Sequence, residues 1–214
     1  KREPALAMEQ ATLESRVESV KKELTLLEAR IPRFKPPVNA QGNEEIFDPV
    51  QARFIRFNIV RANQSEPCVD ELEIFAEGKN VALASVGAKA TASGVYADGG
   101  NAFHQLAFVN DGRHGNSRSW IAKNRDNAWV QIELPKPVAI NRIAWARDRE
   151  GHYADRLAVE YTFDVATELG QWRTVARSAD RPPTGDKAQT KLEFLLANLK
   201  GGEAANVRHF AKRL

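Results

Sequence analysis

The first part of the chain carries an apolar stripe with heptad spacing. Between residues 13 and 31 the apolar positions recur at intervals of four, three, four, three and four, and Glu, Lys and Arg fill most positions between them. The stripe consists of Leu13, Val17, Val20, Leu24, Leu27 and Ile31. Such spacing lines up on one face of a helix. It predicts a helical, coiled-coil-like segment over residues 1–33, followed by a Pro-rich linker over residues 34–51.

From residue 52 the pattern changes to an alternation with a period of two. Turn sequences rich in Gly, Asn, Asp and Pro separate the alternating segments, and no helical pattern interrupts them. The segments are RFIRFNIV, DELEIFA, AWVQIEL, INRIAWAR, LAVEYTFDVAT and QWRTVAR. Short strands at this spacing predict an antiparallel β-sandwich over residues 52–180.

Helical periodicity returns after residue 180. Its apolar stripe is formed by Leu192, Leu195, Leu196 and Leu199. We therefore predict a C-terminal helical segment over residues 181–214 that packs against the N-terminal one. The expected fold class is mainly β, an antiparallel sandwich with an α-helix at each end.

Composition narrows the function. The net charge of +3 comes from scattered basic residues, without the basic stripe and interleaved aromatics of a nucleic-acid-binding protein. No apolar run is long enough to insert into a membrane. Cys68 is the single cysteine, and we expect it to be a buried apolar residue. Neither a phosphate loop, a nucleophile elbow nor zinc spacing of the four histidines is present, so we expect no enzyme.

Four segments between residues 80 and 178 carry a family resemblance. They are NVALASVGAKATASG, FVNDGRHGNSRSW, AWVQIELPKPVAINRIAWARDR and YTFDVATELGQWRTVARS, in that order. Together they resemble the coagulation factor 5/8 type C (discoidin) domain, which includes carbohydrate-binding modules of family 32. The resemblance implies a galactose-binding-like β jelly roll. It covers about half of the chain.

The strand pair that normally closes this family comes before its opening motif here. ARFIRFNIVRANQSEPCVDELEIF, residues 52–75, matches the closing pair. We interpret this order as a circular permutation, because the first and last strands of a jelly roll lie close together. The order is also similar to a segment of large planctomycete-type bacterial proteins with haem c-like domains. That similarity implies an exported, multidomain parent protein and an extracytoplasmic location, whether periplasmic, cell-surface or secreted.

The resemblance also implies a structural calcium ion, a cation that takes six to eight oxygen ligands. The implied ligands are the carboxylates of Glu71 and Asp111, the carbonyl oxygens of Asp70, Phe108 and Arg113, and a side-chain oxygen of Asn116 or Ser117. The alternative is that Asp111 belongs to an ordinary turn and Glu71 points outward from its strand.

A second constellation is the segment WARDREGHYADR. Sugar sites combine an aromatic platform with charged or amide groups that bind hydroxyls. The candidate ligand-binding residues are Arg147, Arg149, His152, Tyr153, His114 and Tyr96, and Phe103 is a further exposed platform. Arg147 matches a family position that contacts the sugar. The alternative is that Arg147, Asp148 and Arg149 form ion pairs that tie loops together.

The four tryptophans are expected to be structural. Trp129, Trp172 and Trp145 occupy strand positions of the family core, and Trp120 is expected to pack against the sheet. The favoured function is a non-catalytic carbohydrate-binding or adhesion module that tethers a larger exported protein to a polysaccharide or other glycan. The alternative is a structural spacer that docks neighbouring domains and binds no sugar.

Overall fold

The computed structural model describes residues 10–19, 21–22, 35–96 and 103–181. The chain divides into two compact units, one formed by Lys1–Pro36 with Gly185–Leu214 and the other by Pro37–Thr184. In the first unit, the described residues 10–19 and 21–22 are helical, within the predicted N-terminal helix. The predicted C-terminal helix and its packing lie outside the described residues.

The second unit is an antiparallel β-sandwich, as the sequence predicts. Its described residues form nine strands: β1 (Asn43–Ala62), β2 (Cys68–Val69), β3 (Glu71–Ala76), β4 (Lys79–Asn80), β5 (Lys89–Ala92), β6 (Trp120–Ile121), β7 (Asp126–Ala146), β8 (Ala158–Ala166) and β9 (Arg173–Arg177). Single turns of 3-10 helix lie at Ala84–Val86, Leu106–Phe108, Asn116–Arg118 and Ser178–Asp180.

The predicted linker is too long, because β1 begins at Asn43 rather than after residue 51. Charged residues prevent the sequence pattern from predicting this half of β1 as a strand. Glu45 is fully buried, and its carboxylate accepts hydrogen bonds from the Tyr161 hydroxyl at 2.6 Å and from Arg181. A buried acidic residue in a strand breaks the apolar alternation on which the prediction depended.

Two long strands build both layers of the sandwich. The second half of β1 pairs with the first half of β7 and with β8, and the first half of β1 pairs with residues 142–145 of β7. Register shifts between Ile46 and Val50 and between Ala52 and Phe54 mark where β1 bends from one layer to the other. β5 and β9 extend one layer, through β7 and β8 respectively. β3 and β4 extend the other layer beyond β7.

The core fills the space between these layers. Phe57 of β1 stacks on Phe163 of β8 with ring centroids 4.2 Å apart, and it meets Trp145 of β7 at 4.9 Å. Trp145 and Trp120 are fully buried, which confirms their predicted structural role. Cys68 is buried as expected, and desolvation raises the pKa of its thiol to about 11.

The core prediction is wrong for Trp129 and Trp172, which are only half-buried. Trp129 lies between Ala128 and Val130, which both point into the core, so its ring projects from the opposite face of the sheet. There the guanidinium of Arg56 lies between the two indoles, 4.5 Å from Trp129 and 4.4 Å from Trp172. The Arg56 guanidinium stabilises this outer sheet surface through cation–π contacts with both indoles.

The strand pair that comes early in the sequence lies inside the sandwich. β1 is hydrogen-bonded on both sides, by β7 and β8, and β3 pairs with β7. A position of β1 and β3 outside the sandwich would have ruled out the circular permutation. The permutation therefore stays a hypothesis that this arrangement permits.

Three loops meet at one end of the sandwich. The β2–β6 pair places residues 62–70 beside residues 109–119. The Asn63 N–H donates to the carbonyl oxygen of Leu157, the last residue of loop 147–157. We call these three loops the loop end. It contains most of the residues that the sequence singles out.

Candidate functional site

Arg147 follows β7 and joins the three loops of the loop end. Its side chain is 2% exposed, and it donates to Asp155 twice at 2.8 Å, to the Asn116 side-chain oxygen at 2.7 Å and to the Cys68 sulfur at 3.3 Å. A guanidinium so buried does not face solvent. The alternative interpretation, in which Arg147 ties loops together, is the one that these contacts favour.

Asp148 fixes the shape of the loop that follows. It is fully buried, and its carboxylate accepts the backbone N–H groups of Glu150, His152 and Tyr153 at 2.9–3.2 Å. Its carboxylate, Glu150 and His152 also group within 4.8 Å of one another. Because Asp148 already satisfies backbone donors and the other two side chains are exposed, we interpret Asp148 as a loop-shaping residue.

Tyr153 is the exposed aromatic residue of this loop. Its side chain is 48% exposed, and its ring centroid lies 5.2 Å from the Arg147 guanidinium. The backbone bond to Asp148 and the cation–π contact to Arg147 both restrict the ring. Tyr153 is therefore a half-exposed ring held in place at the loop end, and its role as a platform stays a prediction.

Tyr96 lies outside the three loops, in a second group of side chains that contacts the loop end through Arg156. It is half-buried, and its ring centroid is 5.7 Å from the guanidinium of Arg156. Arg156 in turn pairs with Glu66 at 2.5 Å and with Asp155 at 3.4 Å. Asp155 therefore connects the Tyr96 group to Arg147. Phe103, the other predicted platform, is 61% exposed.

Four carboxylates gather beside the loop end, and we call them the acidic cluster: Asp70, Glu71, Glu73 and Asp111. Glu71 is 1% exposed, and its Oε1 accepts the Gly112 N–H at 3.1 Å. None of the described residues bonds its Oε2. Burial, together with the charges of Asp111 and Glu73, raises the pKa of Glu71 to about 9.

Asp70 is fully buried at the edge of the same cluster. Its Oδ2 accepts the N–H groups of Gly115 at 3.3 Å and Arg149 at 2.7 Å, so it connects loop 109–119 to loop 147–157. No hydrogen bond from the described residues reaches its Oδ1. Burial raises the pKa of this carboxyl as well.

The structure brings together only some of the predicted calcium ligands. Glu71 and Asp111 meet through Gly112, but Asp111 also bonds Arg118 and the Arg113 N–H. The Asn116 side-chain oxygen accepts a hydrogen bond from Arg147, and Ser117 is exposed. The ring of Phe108 lies 4.2 Å from the Arg118 guanidinium.

Asp70, Glu71 and Asp111 are not a group of described side chains with all ligand atoms within 4.8 Å of one another; Asp148, Glu150 and His152 are. Buried carboxylate oxygens without a hydrogen-bond partner are costly unless protonated or bound to a cation. Glu71 Oε2 and Asp70 Oδ1 are two such oxygens within one group of four acidic residues. The structure does not gather the predicted calcium ligands into one site.

Arg149 and His114 lie between the acidic cluster and solvent. The Arg149 guanidinium donates to Glu73 at 2.5 Å and to His114 Nε2 at 3.0 Å, and its Nε lies 3.9 Å from Asp70 Oδ1. The sequence predicts Arg149 and His114 as sugar contacts, whereas it singles out neither Glu73 nor Arg118. Strand alternation places Glu73 on the same side as Glu71, which was the available signal for Glu73.

Comparison with protein-family models finds no match, and none is found among curated proteins. Among the described residues, no helix has the length and apolar character needed to cross a membrane.

Proposed function

We propose that this chain is a non-catalytic carbohydrate-binding module that recognises a glycan at the loop end. The observation that carries the proposal is the Tyr153 ring, which is 48% exposed yet held over the buried Arg147 guanidinium. A sugar ring stacks on such a face through its C–H groups, and a restrained ring loses little entropy on binding.

Polar groups next to Tyr153 supply hydrogen bonds to sugar hydroxyls. His152 is exposed beside it, and Asp155 is 35% exposed on its side chain. Arg147 acts as a positioning residue because it holds Asn116 and Asp155 from two loops in fixed places. This assignment replaces the direct sugar contact that the sequence predicts for Arg147.

The structural calcium ion that the resemblance implies stays a prediction. Its predicted ligands in the acidic cluster are Glu71, Asp70 and Asp111. The cation would offset the mutual repulsion of the cluster. Because Asp70 bonds the backbone of both Gly115 and Arg149, the cation would also stabilise the loops that carry the glycan site.

The test is a glycan array with the full chain in CaCl2, comparing wild type with Tyr153→Ala. Leu169→Ala is the matched control, since Leu169 is 62% exposed in the turn after β8, at the opposite end of that strand from Leu157. We expect about a tenfold loss of glycan affinity for Tyr153→Ala and no change for Leu169→Ala. An array that stays blank, or equal binding by both variants, would refute the proposal.

The second candidate is an interaction spacer of the parent protein. The stack of Trp129, Arg56 and Trp172 favours it, since large aromatic residues and Arg are enriched at protein interfaces. A blank array together with protein binding lost in Trp172→Ala would support this function.

A further inference from the structure

Arg56 carries a positive charge that has no ion pair among the described residues. It lies in the layer formed by β5, β7, β1, β8 and β9, on the side away from the core, which we call the outer sheet face. Its guanidinium is half-buried and stacks on Trp129 and Trp172. Its Nε and Nη2 donate to Gln131 Oε1 at 3.0 and 2.8 Å, and none of the described residues bonds its Nη1. The edge formed by Nη1 and Nη2 is therefore open to a ligand.

The acidic side chain opposite Arg56 is engaged elsewhere. Asp164 of β8 is the residue that pairs with Arg56 of β1. Its carboxylate accepts hydrogen bonds from Asn58 at 2.7 Å and from Thr174 at 2.6 Å. The guanidinium, in contrast, is turned toward Gln131 and held there by the two indoles. Arg56 is thus a fixed cation that a structural ion pair does not account for.

The charges of the outer sheet face favour an anionic ligand. Lys89 pairs across the sheet with Glu133, and Arg177 pairs with Thr162, so both lie on the same side as Arg56. Neither forms an ion pair with a described residue, whereas Glu133 is already paired with a neighbouring arginine. The cations extend over five adjacent strands, a span of about 19 Å at the usual strand spacing. This width fits an extended polymer.

We propose that the outer sheet face binds an acidic polysaccharide built from uronic acid units. A sugar carboxylate pairs with the open guanidinium edge of Arg56, the geometry that a planar guanidinium recognises best. Trp129 and Trp172 are only half-buried, so each presents apolar ring surface to a sugar ring. Asp164 accepts hydrogen bonds from sugar hydroxyls but repels closely spaced phosphates, which favours a glycan over a nucleic acid. This surface does not involve Tyr153, so the inference stands apart from the glycan site at the loop end.

The experiment is a calorimetric titration of the full chain with polygalacturonate and with alginate, and with neutral dextran for comparison. Arg56→Gln and Trp172→Ala should each weaken binding of the acidic polymers at least about tenfold. Arg142→Gln is the matched control, since Arg142 also stacks on an aromatic ring, that of Phe75, but lies in the other layer. It should bind like wild type, as should Tyr153→Ala. Circular dichroism checks that each variant is folded.

Lys89→Gln provides a variant that cannot disturb the core, because Lys89 is exposed. It should weaken binding about two- to threefold, and added NaCl should weaken binding by the wild type, since salt screens exposed charges. Equal affinity of wild type and Arg56→Gln, or no binding of either acidic polymer, would overturn the proposal. Binding lost in Tyr153→Ala but kept in Arg56→Gln would place the ligand at the loop end and also overturn it. Tighter binding of single-stranded DNA than of both polymers, lost in the same variants, would overturn the assigned ligand class.

Discussion

The Glu66 carboxylate lies at the outer edge of the loop end, and its hydrogen bonds lower its pKa. Its carboxylate accepts the Ser65 hydroxyl and the Arg156 guanidinium, each at 2.5 Å. The Ser65 bond is the largest cause, followed by the backbone and Arg156, and together they lower the pKa of Glu66 to about 2. Because Arg156 also contacts Tyr96 and Asp155, this carboxylate helps to hold the loops together.

The lowered pKa contributes stability that depends on pH. The folded pKa of about 2 lies well below the ordinary value of 4.5, so the ionised carboxylate favours the folded state. Glu66 lies near the surface, where solvent screens its partners, so we expect a contribution of about 1 kcal/mol. This contribution is fully present above the unfolded pKa of 4.5. It is lost as the pH falls through about 2, because both states are then protonated.

The perturbation is Glu66→Gln, measured by urea unfolding at several pH values between 2 and 7. We expect this variant to be less stable than wild type by about 1 kcal/mol at pH 7, with the difference closing toward pH 2. Ser65→Ala should show a smaller loss in the same pH window, since it removes one of the bonds to the carboxylate. A difference that stays constant with pH would show that the loss comes from packing and would refute the reasoning.

Two further predictions concern the loops and the turn between β3 and β4. Arg147→Ala should lower the free energy of unfolding by about 3 kcal/mol in urea titrations, because it removes the four hydrogen bonds of a buried guanidinium, and an unchanged stability would contradict the positioning role. Ten Gly and Ser residues inserted between Glu77 and Gly78 should cost only about 1–2 kcal/mol of loop-closure entropy, measured in the same assay. Those two exposed residues form the tight turn where a circular permutation would have joined the old ends, so a much larger loss would argue against the permutation.

The sequence predicts the strands well where one face is buried. The alternation of Ile55, Phe57 and Ile59 along β1 indicates both the strand and its buried face. The same alternation places Trp129 on the opposite face, beside Arg56, but the family pattern suggested a core position. The first half of β1 was not predicted as a strand, because Asn43 and Glu45 are buried polar residues and the partner of Glu45, Tyr161, lies far along the chain.

The site is harder to predict because its parts are remote in sequence. The acidic character of residues 70–73 is plain from the sequence, but the burial of Asp70 and Glu71 comes from loop 109–119 folding over them. Arg147 lies next to a strand end, which is typical of a ligand contact. Its burial depends on contacts with Cys68, Asn116 and Asp155, and no local sequence pattern predicts those contacts.

The order of the strands has a consequence for how the loop end forms. Several bonds that build it join distant residues, 31 positions apart for Asn116 with Arg147 and 90 for Glu66 with Arg156. Contacts of this range form only when the sandwich layers are already in register. Asp70 and Glu71 lie directly before β3 or at its start, so their place beside Gly112 and Gly115 is set by the pairing of β3 with β7. The acidic cluster is therefore assembled by the sheet rather than by any one loop, and a cation bound there would stabilise the folded sandwich as a whole.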